Sequence, residues 1–125
     1  MTKIFTDVNV FLTAVGQRTP ATQVAEDAQA KLYKKLIVEE FAEFMEADIE
    51  NDDVERIDAC FDMIWVIVGY MKSRGWDCNG IWDEGAQSNL SKIDPNTGLV
   101  RRRDDGKILK PEGWQPPDFT KFTGK

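Results

Sequence analysis

The chain has no histidine. That absence excludes Ser-His-Asp and Cys-His nucleophile systems, His-based zinc sites and the Glu-x-x-His pairs of di-iron bundles. Cysteine is scarce too. Cys60 and Cys78 form neither a CxxC pair nor a disulfide framework, so a reducing, cytoplasmic setting is expected. Long apolar runs are missing. The longest, MIWVIVGYM from Met63 to Met71, has nine residues and falls far short of a bilayer span. The opening MTKIFTDVNVF lacks the apolar core of a signal peptide, and no membrane association is expected. Net positive charge is also absent. At −6 the chain is not expected to bind nucleic acid stably. No internal repeat or low-complexity segment occurs.

What is present is negative charge, unevenly placed. Residues 101–125 hold seven Lys/Arg against four acids, a net +3, whereas residues 1–100 hold nine against eighteen, a net −9. The densest stretch, EEFAEFMEADIENDDVERIDACFD from Glu39 to Asp62, carries eleven carboxylates and one basic residue, Arg56. Either this is a solvated helix face, or something positive sits among these side chains.

The length of 125 residues and 42% hydrophobic content fit one domain with a small core, which oligomerisation would enlarge. Helical spacing of Val8, Phe11, Leu12 and Val15, ending at Gly16, predicts a first helix. GQRTPAT reads as a loop in which Pro20 and Thr22 prepare the next start. From about Gln23 to Ile49 there is no Gly or Pro, and Leu32, Leu36, Ile37, Phe41, Phe44 and Met45 recur at three or four, predicting one long helix. Asn51 to Asp53 break it and cap a third helix from Val54 to about Arg74, closed by Gly75. The short turn between these two predicts antiparallel packing. A fourth, shorter helix is expected over Ile81 to about Ser91, and Val100 and Ile108 with their neighbours suit a small hairpin. The preferred reading of this turn-rich tail, over the hairpin, is an ordered arm lying on a neighbouring helix or subunit, anchored by Trp114 and Phe119. The expected architecture is therefore all-α: a four-helix-type bundle in one domain, with a helical body over about 3–93 and a basic arm over about 94–125, assembled as a homodimer or homotetramer.

On a helical wheel with Leu36 at zero, Glu39, Glu40 and Glu43 fall at about 300°, 40° and 340°. Glu40 lies at the edge of the apolar face, beside Ile37 and Phe44. With Glu55 at zero, Asp58 and Asp62 fall at about 300° and 340°, a narrow stripe. Asp62 is the only charged residue between Ala59 and Met71, on a helix apolar all round and so expected to be buried. A buried carboxylate needs a partner, and no basic residue is near in sequence except Lys34, Lys35 and Arg56. A cation brought from outside fits better. Carboxylate oxygens suit Mg²⁺, with Mn²⁺ as the alternative, and Mg²⁺ commonly bridges one or two carboxylates and substrate phosphates. Glu46, Asp48, Glu50, Asp52 and Asp53 read as solvated helix end and loop.

These residues, Glu39-Glu40-x-x-Glu43 followed by Glu55-x-x-Asp58 and Asp62, resemble the all-α nucleoside triphosphate pyrophosphohydrolases, the superfamily of MazG, the dimeric dUTPases and phosphoribosyl-ATP pyrophosphohydrolase. The likeness is strongest to short MazG-like proteins of bacteria and phages. It extends to SNLSK (Ser88 to Lys92) and DGKILKPEGWQPPD (Asp105 to Asp118) and so covers about Val8 to Phe119. One departure is the spacing of eleven residues between Glu43 and Glu55, short for the family.

The resemblance implies Mg²⁺-dependent cleavage between the α and β phosphates of a (d)NTP, giving (d)NMP and pyrophosphate in nucleotide-pool housecleaning. It implies Glu39, Glu40, Glu43, Glu55, Asp58 and Asp62 as metal ligands, with Glu40 or Glu43 handling the attacking water. Asn89 and Lys92 share a helix face at i, i+3, and with Lys107 and Lys110 they are the expected phosphate-binding residues. Phe11, Trp65, Trp82 and Trp114 are candidates for a base pocket, although core packing explains each. Two alternatives remain: phosphoribosyl-ATP as substrate, and a non-catalytic metal- or nucleotide-binding bundle.

Overall fold

The computed structural model describes residues 3–17 and 23–123, with side chains in the second stretch from residue 28 onward. The expected loop residues Pro20 and Thr22 lie outside the described residues. Four α-helices are present: α1 (Lys3–Val15), α2 (Gln23–Ile49), α3 (Asp53–Ser73) and α4 (Cys78–Leu90). A single 3-10 turn, Thr120–Phe122, follows near the end. No strand longer than an isolated bridge occurs among the described residues. The protein is all-α, in two compact units, residues 1–78 and 79–125.

The first unit holds α1, α2 and α3. Contacts run from Asp48 with Arg56, through Ala47 and Ala59, both buried, to Tyr33 against Gly69. As the residue number falls along α2 it rises along α3, so the two helices are antiparallel. The turn between them is set locally. Asn51 takes a left-handed φ of 54°, and Asp52 caps α3 by accepting from the Glu55 N–H at 3.1 Å. Arg56 then gathers the acids of the turn, reaching Asp48 Oδ1 at 3.0 Å, Asp53 Oδ1 at 2.8 Å and Asn51 Oδ1 at 3.0 Å. Beside them, Phe5, Val8 and Leu12 of α1 pack with Val68 and Cys78, flanked by Trp65 and Met71. Phe11 meets Trp65 edge-on at 5.4 Å.

One expectation from sequence is corrected here. The third helix was expected to be buried all round, yet in the single chain Phe61, Ile64 and Ile67 are about half exposed. On α2, Val38, Phe41, Met45 and Ile49 are likewise uncovered. Apart from Val68, which packs against α1, the residues buried on these helices are small or polar: Ala47, Ala59, Gly69, Ser73 and Tyr33. Close helix approach needs such residues, so the two long helices meet along a narrow seam and leave their bulkier stripes outside it.

In the second unit the C-terminal arm is strapped to α4. The Trp114 indole N–H donates to the Ser88 carbonyl at 2.9 Å, and the Ser88 hydroxyl donates to the Gln115 carbonyl at 3.1 Å. Glu84 accepts from the Asp118 N–H at 2.9 Å and pairs with Lys121 at 3.4 Å. The expected hairpin is present in altered register. Ile108 bridges Arg102, whereas Val100 bridges Ile93 at the end of α4. The turn Asn96-Thr97-Gly98 folds the chain back sooner than the Val100–Ile108 pairing would require.

Candidate metal centre

The α2–α3 seam brings carboxylates together where a hydrophobic core would ordinarily lie. Glu40 and Glu43 sit one turn apart on α2, and Asp62 faces them from α3. One carboxylate oxygen from each lies within 4.8 Å of the others. Asp58, one turn before Asp62, adjoins it closely enough for one acid to hydrogen-bond the other when protonated. Glu40 and Asp62 are both half-buried, and Glu43 is exposed. Glu40 carries the unpartnered atom. Its Oε2 is buried and has no hydrogen-bond partner.

The electrostatics follow from that crowding. Burial, a hydrogen bond with Glu43, and the charges of Glu43, Asp62 and Asp58 push the Glu40 carboxyl up from 4.5 to about 7. Burial raises Asp62 as well, with added repulsion from Asp58 and Glu43. Among the described residues no cationic side chain pairs with these acids: Lys35 pairs with Glu39 at 4.0 Å, and Arg56 is engaged at the helix turn. Hard oxygen donors, a shared charge and an orphaned buried oxygen fit a divalent cation of the Mg²⁺ type. The cluster Glu40, Glu43 and Asp62 can hold such an ion.

The six acids singled out in the sequence do not form one cluster. Glu40, Glu43 and Asp62 converge, and Asp58 adjoins them. Glu39 is exposed and turned to Lys35. Glu55 lines an adjoining cleft of about 220 Å³ with Glu46, Ala47, Glu50 and Glu43, the last shared with the cluster. Asp62 therefore stands nearer the centre than Glu39 or Glu55.

Of the four residues expected to meet phosphates, all in the second unit, three form one group. The Lys92 ammonium donates to Asn89 Oδ1 at 3.1 Å and lies 5.2 Å from the Trp114 ring centroid, and the Lys110 ammonium lies 4.6 Å from the same centroid. Lys107 belongs to the hairpin turn, where its backbone N–H donates to Asp105. Trp114 also lines an open cleft of about 490 Å³ between α4 and the arm. Among the aromatic candidates, Trp82 is 60% exposed and Phe11 and Trp65 pack on each other.

Sequence reasoning missed Gln17 and Tyr33. The Tyr33 hydroxyl donates to Gln17 Oε1 at 2.9 Å, and among the described residues Gln17 Nε2 is, with Glu40 Oε2, a buried polar atom without a partner. A Tyr on the seam side of a helix gave a signal only in hindsight of the pairing, since Gln17 lies sixteen residues away.

Comparison with known proteins completes this picture. The phosphoribosyl-ATP pyrophosphohydrolase family matches residues 8–89, spanning α1 to α4 and all six acids. No curated protein matches the chain. No helix among the described residues is long and apolar enough to cross a membrane. From an acid-lined seam in an all-helical fold and a family match over most of the chain, the protein belongs to the phosphoribosyl-ATP pyrophosphohydrolase family, within the all-α MazG-like superfamily, and is a hydrolase acting on phosphoric anhydride bonds.

Proposed function

We propose that the chain cleaves the α–β phosphoric anhydride of a nucleoside 5′-triphosphate group in a Mg²⁺-dependent reaction, releasing a nucleoside monophosphate and pyrophosphate. The observation that carries this is the convergence of Glu40, Glu43 and Asp62 around the unpartnered Glu40 oxygen. Glu40, Glu43, Asp62 and Asp58 are the inner ligands, and Glu39 and Glu55 complete the set from its edges. Bound Mg²⁺ supplies positive charge to the phosphate oxygens and makes water a better nucleophile, and Mn²⁺ suits the same donors. Glu43, more exposed than Glu40, is placed to orient the attacking water and take its proton, while Glu40 completes the proton-handling pair. Water adds at the α phosphorus, the α–β bridging bond breaks, and the electron pair leaves with pyrophosphate.

Asn89, Lys92, Lys107 and Lys110 take the remaining phosphate charge. In support, Lys92 and Lys110 approach one indole ring with no acidic partner for either among the described residues. Like charges gathered without a counter-ion favour an anionic ligand. The family match makes phosphoribosyl-ATP the first substrate to test. The downstream motifs SNLSK and DGKILKPEGWQPPD favour a (d)NTP and nucleotide-pool housecleaning as the second reading.

A second copy of the chain is the expected partner. The uncovered stripes on α2 and α3, with Ile49 at 83% and Val54 at 74% exposed, leave a series of large apolar side chains without cover in the single chain. A homodimer covers them, and a homotetramer is the next possibility. A reducing, cytoplasmic setting suits the free thiols of Cys60 and Cys78.

The test is product analysis by anion exchange after incubation with phosphoribosyl-ATP and each common NTP and dNTP, with Mg²⁺ or with EDTA. Monophosphate and pyrophosphate appearing only with metal support the reading and rank the substrates. Diphosphate with phosphate would refute α–β cleavage. A monomer by light scattering at micromolar concentration would refute the assembly.

A further inference from the structure

The α2–α3 seam has a second polar feature beyond the acid cluster. Tyr33 precedes Glu40 by seven residues on α2, and Gly69 follows Asp62 by seven on α3. Seven residues return to nearly the same helix face about 10 Å along the axis. At that level Tyr33, only 6% exposed, lies on the bare backbone of Gly69, where an added Cβ would stand 3.0 Å from its Cε1 and hydroxyl oxygen. Tyr70 closes one side, edge-on to Tyr33 at 6.0 Å.

Gln17 completes the group. It follows α1 through Gly16, whose φ of 83° turns the chain, and its backbone N–H returns to the Leu12 carbonyl at 3.1 Å. Its Oε1 accepts the Tyr33 hydroxyl, which leaves Nε2 as a buried donor with no acceptor. Exchanging the two amide atoms would not help, because one end would still lack a partner. Burial raises the Tyr33 pKa, so its hydroxyl stays protonated and keeps donating. A buried donor left open is unfavourable, and proteins rarely keep one without a use.

We propose that Gln17 reads the base of the nucleotide: its Nε2–H donates to an acceptor on the base edge, a keto oxygen or bare ring nitrogen, while its Oε1 is held by the Tyr33 hydroxyl. This rests on the reading above, in which phosphates are held at Glu40, Glu43 and Asp62. The axial spacing of about 10 Å suits the reach from a nucleotide's phosphates through its sugar to the base. An exocyclic amino group in the same place sets donor against donor and is refused. Gln17 and Tyr33 thereby separate base selection from the chemistry at the acids.

The test uses the full chain with Gln17→Met, which removes the donor, and Tyr33→Phe, which keeps the ring and frees the amide. Two quantities are measured for each protein: kcat/KM for phosphoribosyl-ATP and the common nucleotides, and binding of the corresponding nucleoside monophosphates, which are not cleaved, in Mg²⁺. Gln17→Met is expected to lower kcat/KM for the preferred base about ten- to hundredfold, and less for the others, so that preference narrows. The Mg²⁺ concentration for half-maximal rate stays unchanged. Tyr33→Phe narrows preference with a smaller loss on the best substrate. A uniform loss across bases, no loss, or a parent without base preference overturns the role of Gln17. A parent that binds monophosphates base-selectively but cleaves nothing overturns the reaction and leaves Gln17 in place. A parent that neither binds nor cleaves any of them overturns both.

Discussion

Replacing Glu40 with glutamine should make the metal-free protein more stable, although it removes a proposed metal ligand. Glu40 is raised from 4.5 to about 7 by burial and by Glu43, Asp62 and Asp58. A carboxyl raised on folding favours its protonated form in the native state. Its contribution is fully present below about 4.5 and is lost as pH rises to about 7, so at pH 8 the ionised carboxylate opposes folding in full. The displacement corresponds to about 3 kcal/mol. Solvent screening at a partly open cluster lowers this to about 1–2 kcal/mol. Glutamine keeps the shape, drops the charge and offers a donor to Glu43 or Asp62. In EDTA at pH 8, Glu40→Gln should therefore raise Tm by about 5 °C. At pH 4 the gain should vanish, because both proteins are then uncharged at this position. Mg²⁺ at pH 8 should reverse the order by stabilising the parent alone. Thermal scans at two pH values, with and without metal, give all four numbers. An unchanged or lower Tm for the variant at pH 8 in EDTA would refute the account of crowded, uncompensated charge.

Three further outcomes follow from the packing. Gly69→Ala should destabilise by about 1–3 kcal/mol, since its Cβ meets Tyr33 at 3.0 Å, and a denaturant titration with unchanged slope checks this. Trp114→Ala should loosen the arm from α4, because the Ser88 bond and both lysine contacts go with the ring. Limited proteolysis should then cut after Arg101 to Lys110 faster while cleavage within α2 and α3 stays unchanged. Mg²⁺ should raise Tm more at pH 8 than at pH 5.5, since Glu40 and Asp62 must lose protons before they can bind a cation, and an equal rise at both would refute it.

Much of the fold was legible because its signals are local. The absence of Gly and Pro from Gln23 to Ile49, and the Asn51 to Asp53 break, place α2 and α3 to within a residue. The acids were legible for the same reason: helical spacing puts Glu40 and Glu43 on one arc and Asp58 and Asp62 on another. What spacing does not carry is depth. Glu39 and Glu55 share those arcs, yet the antiparallel seam admits Asp62 and leaves both of them at its margin. The exposed stripes were hidden for a related reason, because periodicity marks a helix face as apolar without saying whether the same chain covers it. Gln17 was invisible because its meaning lies in a bond to Tyr33 and in a missing bond at Nε2.

The three converging acids come from a single αα-hairpin, with Glu40 and Asp62 only twenty-two residues apart along the chain. Closing so short a loop is entropically cheap, and helical hairpins form early in folding. On that basis the repulsion among Glu40, Glu43 and Asp62 is expected to be met while the hairpin closes. A divalent cation then acts on the folding barrier as well as on the folded state. Refolding in Mg²⁺ should then be faster than in EDTA, so that an ion suited to these acids would help assemble the site it occupies.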